Sequence, residues 1–139
     1  MKKRITLITL LLAVCLAMTT VLSACGDSKM KEIEKRFQDN AYTIYISLKT
    51  TEGKWFEANK QHSAGSIRVL VNRYDTEEDA IAGVALYESW NTTNNDIIDY
   101  EVNRQGLYVC AAYVYGSYTR DDIDAAILIF RGCFPVIVK

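Results

Sequence analysis

The chain has 139 residues, with hydrophobic residues at 50%, charged residues at 24%, Pro 1 and Gly 7. That composition suits one globular domain and excludes disorder, collagen and repeat arrays. The formal charge of −1 lacks the basic excess with which nucleic-acid binders meet phosphates, so no nucleic-acid partner is expected.

In chain order, Lys2, Lys3 and Arg4 form a cationic start, and Ile5 to Ala24 is an uncharged run rich in leucine, isoleucine and valine. This is the layout of a secretory signal. The run ends in Leu22-Ser23-Ala24-Cys25, an aliphatic residue and two small ones before a cysteine, which resembles the lipobox of bacterial lipoproteins. The resemblance implies a signal peptide over 1–24, cleavage before Cys25, and a diacylglyceryl thioether on the Cys25 thiol. Residues 25–28 would then be a lipidated tether and 29–139 a single domain on the cell membrane, facing outside the cytoplasm. Read from the residues alone, the run is also long enough to span the bilayer as an uncleaved helix, for which about 20 suffice. Both arrangements tether the domain outside the cytoplasm. Removing 1–24 leaves 115 residues and lowers Lys+Arg from 16 to 13 against 17 acids, taking the charge from −1 to −4. That length supports one core.

Beyond the tether, Met30, Ile33 and Phe37 recur at helical spacing among charged residues, which predicts an amphipathic helix. At Tyr42 the period becomes two: Tyr42, Ile44, Ile46 and Leu48 alternate with Thr43, Tyr45, Ser47 and Lys49, as in a strand with one buried face. Lys54 to Lys60 is a weaker second strand, Gln61 to Gly65 a turn, and Ser66 to Tyr74 a third strand, closing an antiparallel meander. Asp75 or Thr76 caps the next helix in the manner of a capping box, with Ala80, Val84 and Tyr87 on one face beside Ile81, Leu86 and Trp90. Asn91 to Asp96 reads as a loop. A hairpin follows, Ile97 to Asn103 and Leu107 to Gly116, whose second arm is apolar on both faces and therefore central. Thr119 opens a last helix with a core stripe of Ile123, Ala126, Ile127 and Phe130, ended by Gly132. Thr76 to Tyr87 aligns without gaps on Thr119 to Phe130, although shared capping and helical patterning generate much of that echo. The order α-β-β-β-α-β-β-α predicts an α+β fold in two layers: a mainly antiparallel sheet of about five strands with helices packed on one face.

Chemistry is sparse along this framework. His62 is the single histidine; it falls in a predicted turn without the Cys, Asp or Glu spacing of a zinc site. The acidic groups Asp75, Glu77, Glu78, Asp79 and Asp121, Asp122, Asp124 sit at helix starts, where acids cap exposed amides. Neither a calcium loop nor a glycine-rich phosphate loop is present. No metal or other cofactor is expected, and no catalytic residue. Cys110 and Cys133 are a candidate disulfide in an exported chain, the alternative being two buried thiols. Nine tyrosines and two tryptophans are many for 115 residues, and Tyr45, Tyr74 and Tyr108 with Leu70 are a candidate binding surface on the sheet face opposite the core. The expectation is a membrane-anchored, non-catalytic binding or accessory module with an envelope protein as partner. The alternative is a binder of a small ligand in a pocket between helices and sheet.

Overall fold

The computed structural model of the chain describes residues 28–45 and 54–136. The signal segment, Cys25 and the expected strand continuation over 46–49 lie outside them. Helix α1 covers 28–39 and buries Met30, Ile33 and Phe37. It closes on Ala41 at φ 64°, with the amides of Ala41 and Tyr42 donating to the Gln38 and Phe37 carbonyls at 3.0 Å each. This is a Schellman closure with alanine at the position that usually takes glycine.

Strands β1 (Thr43–Tyr45), β2 (Trp55–His62) and β3 (Gly65–Arg73) form the meander, and helix α2 (Glu77–Thr93) follows. Strands β4 (Asp99–Gln105) and β5 (Tyr108–Gly116) form a hairpin that leads into helix α3 (Arg120–Arg131). All five strands join in one antiparallel sheet of order β1-β2-β3-β5-β4. The α+β class, the order of elements and the central place of β5 follow the sequence pattern. Strand β2 runs to His62, so the turn is only Ser63 and Ala64, and α2 continues to Thr93 through the first part of the expected loop.

The helices divide between the two faces instead of sharing one. Phe56, Ala58, Ile67, Val69, Val71, Cys110, Ala112 and Val114 form the first face, packed against α1 and against Ile123, Ala126, Ile127 and Phe130 of α3. Leu70, Val109, Ala111 and Tyr113 form the second, packed against Ala80 and Tyr87 of α2. The molecule therefore has three layers, and β5 is apolar on both sides because both sides are covered. Full burial of a side chain such as Phe130 contributes roughly 2 to 3 kcal/mol, so each layer holds the sheet through several such residues.

The two hairpin–helix units correspond element for element. Gly65 and Tyr108 open β3 and β5, Arg73 and Gly116 end them, and Thr76 and Thr119 cap α2 and α3; each pair is 43 residues apart. Buried helix positions match at the same offset: Ala80 with Ile123, Gly83 with Ala126, Tyr87 with Phe130. One position separates the units. Gly116 has φ 68°, whereas Arg73, its counterpart, is not among the residues at positive φ. A left-handed residue at the end of β5 re-aims the chain, and α3 packs on the face opposite to α2. A Cβ at Gly116 would stand 2.1 Å from the Ala64 carbonyl oxygen, so this turn requires glycine on steric grounds too.

Candidate functional site

Helix α2 is one place where the surface departs from a charged, solvated exterior. Its start is fixed by Thr76, whose Oγ1 accepts the Asp79 amide at 3.1 Å and whose hydroxyl donates to Asp79 Oδ2 at 2.8 Å. Glu77, Glu78 and Asp79 occupy the first turn, where they complement the positive end of the helix dipole. The corresponding acid in α3, Asp122, accepts the Thr119 amide at 2.7 Å. In both helices the acid at the third position serves the cap.

The inner side of α2 rests on aromatic rings. Gly83 lies against Tyr74 so closely that a Cβ there would meet the phenol oxygen at 2.2 Å. The buried Tyr113 hydroxyl donates to the Tyr87 carbonyl at 2.8 Å, and its ring stacks with Trp90 and with Tyr100 at 6.1 Å each. Burial, aided by the neighbouring Tyr74, pushes the Tyr87 phenol up to about 12. Burial also raises Tyr113. Both phenols are thus neutral structural groups at neutral pH, far from the range that general acid–base work needs.

Helix α2 also exposes apolar side chains. Ile81 and Leu86 are each 54% exposed and Trp90 38%, with the exposed Ala82 and Ala85 between the first two. A cleft of about 470 Å³ flanks the helix, lined by Lys54, Tyr74, Asp75, Asp79, Gly83 and Leu86 among others. A second, of about 410 Å³, is lined by Ile81, Val84, Ala85, Glu88, Val102 and Arg104. Lys54 pairs with Asp75 at 3.0 Å in the first, and Arg104 with Glu77 at 3.0 Å beside the second.

The residues singled out from the sequence do not form one surface. Leu70 is buried on the second face, and Tyr74 is half-buried against Gly83. Tyr45 stands exposed on the edge strand β1. Tyr108 is on the first face, its ring 5.4 Å from that of Phe134, and it pairs with Arg73 while Leu70 pairs with Ala111. Period-two alternation fixes the faces along one strand but leaves open the register between strands, and a slip of one residue exchanges them. Ile81, Leu86 and Trp90, read from spacing as flanks of the packing side, are instead the exposed ones. The signal for this was the run Ala80 to Tyr87, which contains no polar side chain apart from the tyrosine hydroxyl and so is apolar all round, against the one-sided stripe of α3.

Cys110 and Cys133 are both buried free thiols, within one core cluster. The Cys133 thiol donates to the Ile129 carbonyl at 3.4 Å. Burial pushes both thiols up, away from the thiolate form that reacts. His62 ends β2, stacks on Tyr118 at 4.7 Å, and accepts the Ala64 amide on Nδ1 at 3.3 Å. Arg120 of α3 ties the edge strand β4 down: it pairs with Glu101, with Asp124 at 3.0 Å and with Asp99 at 3.6 Å. Among the described residues no helix is long and apolar enough to cross a membrane.

Comparison with protein-family models, with curated proteins and with solved structures finds no match.

Proposed function

We propose that the chain is a lipid-anchored envelope protein, held by Cys25 on the outer side of the cell membrane, that binds another envelope protein through the outward side of α2. The observation that carries this reading is the exposed apolar run Ile81, Ala82, Ala85 and Leu86 with Trp90 on a helix whose inner side is already filled. Exposed apolar residues along one helix suit an interaction surface, and Trp90, whose ring rests on Tyr87 and Tyr113 while staying 38% exposed, supplies an aromatic anchor at its edge. No step of this reading requires a catalytic group.

The test is photo-crosslinking in intact cells from a reactive residue placed at Ile81 or Leu86, followed by identification of the captured protein. One reproducible envelope partner, lost in the double variant Ile81→Asp/Leu86→Asp while the melting temperature is unchanged, is the expected result. Capture that survives the double variant would remove α2 from the interface. A second reading, a small-ligand site, is favoured by the cleft between β3 and α2, whose 470 Å³ is within the size range of such pockets and whose lining joins Lys54 and Asp75 with Tyr74 and Leu86. Capture of no partner, together with a ligand-induced rise in melting temperature, would favour it.

A further inference from the structure

Helix α1 begins at residue 28, three residues beyond Cys25, and three extended residues reach at most about 10 Å. With acyl chains on Cys25, the start of α1 is held close to the lipid headgroups. The Lys29 ammonium donates to the Cys133 carbonyl at 2.8 Å and lies 5.6 Å above the Phe134 ring, so the end of α3 is fixed beside that start. Arg36, about two turns further along α1, lies against Gly132, where a Cβ would stand 3.1 Å from the guanidinium.

Beside the end of α3 the molecule exposes apolar side chains. Leu128 is 70% and Val136 87% exposed, more than any other large hydrophobic residue described. They line a cleft of about 500 Å³ with Phe134, Pro135 and Arg131. The other exposed positions of α3 include Arg120, Asp121 and Asp124, so the apolar character is confined to the last turn and the segment after it. Apolar side chains with an arginine at their rim match the boundary between acyl chains and headgroups, where the stem of a long cation lies in the apolar layer and its charge in water.

We propose that Leu128, Pro135 and Val136, with Arg131 at their rim, insert into the headgroup boundary of the membrane as a second contact beside the lipid anchor. The contact sets the domain end-on. This rests on the anchored reading above. The Arg73–Tyr108 end of the central strands then faces the bilayer, because Phe134 packs on Tyr108. The Ser63–Ala64 turn, next to the Gly65–Gly116 end, points away, at about 30 Å for nine strand residues.

The test uses the full chain, purified from membranes as Val136→Cys and Ser63→Cys variants. Each is labelled with an environment-sensitive fluorophore and reconstituted into phosphatidylethanolamine–phosphatidylglycerol vesicles, with or without nitroxide-bearing phospholipid. The unsubstituted chain, whose Cys110 and Cys133 are buried, supplies the labelling background. The expected result is a blue shift and a loss of emission by nitroxide at residue 136, with neither at residue 63. No quenching at 136, or equal quenching at both positions, would overturn the end-on contact. Intact mass of the same samples reads the anchor separately. A lipidated mass with residue 136 unquenched rejects the surface and keeps the anchor. An unmodified mass beginning at Met1 rejects the lipid anchor, and the quenching still decides the surface.

Discussion

Ala41 and Gly116 both occupy positive φ, at 64° and 68°, and they carry opposite predictions. An L side chain in the left-handed region costs roughly 1 to 2 kcal/mol, so Ala41→Gly is expected to raise the denaturant midpoint by an amount corresponding to about 1 kcal/mol, once the entropy of the added glycine is deducted. Gly116→Ala adds the same strain and a clash with the Ala64 carbonyl, and is expected to cost at least about 3 kcal/mol. Gly106 has φ 60° and open space around it, so Gly106→Ala tests the strain alone, at about 1 kcal/mol. Equal losses for Gly106→Ala and Gly116→Ala by urea unfolding would show that the close approach to Ala64 is not a constraint. The phenol of Tyr87 gives a pH prediction. Folded, it releases its proton near 12 instead of its ordinary 10, so above pH 10 the unfolded chain holds fewer protons than the native one. Stability is therefore complete below pH 10 and declines as pH rises from 10 to about 12. Absorbance of tyrosinate is expected to show a fraction of the tyrosines ionising only as the near-ultraviolet dichroism collapses.

At the scale of elements, the strands, their order along the chain and the caps were legible in the sequence, while their order within the sheet was not. Alternation named Ile67, Val69 and Val71, and a threonine with an acid three residues on named the starts of α2 and α3. The sides taken by the helices were not legible from periodicity, because a hydrophobic stripe says that a helix packs on something and not on which face. That choice is made over three connecting residues, and the one local sign of it, Gly116, reads in sequence as an ordinary strand-ending glycine. Tyr108 was misplaced for a related reason: the strand to which it belongs is apolar on both faces, so either assignment satisfied the pattern. The Arg120 cluster gives an element-scale prediction. Its side chain is 48% exposed, and exposed pairs contribute little, so Arg120→Ala is expected to cost less than about 1 kcal/mol, most of it lost in 1 M salt. A much larger, salt-independent loss on denaturation would mean that Arg120 holds β4 by packing.

For the molecule as a whole, the thiols report on how tightly the layers close. Cys110 is fully buried between the sheet and the first-face helices, so alkylation in native buffer is expected to leave it unmodified, while denaturant without reductant exposes both Cys110 and Cys133 to alkylation. A requirement for reductant in denaturant would mean that the two thiols have bridged. The three-layer arrangement also accounts for the asymmetry of the surface. Two helices bury one face, and α2 alone shelters only the β4–β5 part of the other, where the aromatic rings are concentrated. Beyond Leu70 and Trp55, that face over β2 and β3 is polar and carries its own ion pair, Arg68 with Glu57 at 2.8 Å.

The matched hairpin–helix units meet along one seam, the pairing of β3 with β5. Until β5 arrives, β3 has β2 on one side and nothing on the other, and its counterpart strand begins 43 residues later in the chain. A chain that emerges in order of synthesis therefore presents a bare apolar strand, Ile67 to Val71, for as long as it takes the second unit to follow. Such an edge invites pairing with whatever strand is nearest. Synthesis arrested after the first hairpin is thus expected to yield aggregates joined through that hairpin, and the second hairpin acts toward the first as a chaperone supplied by the same chain.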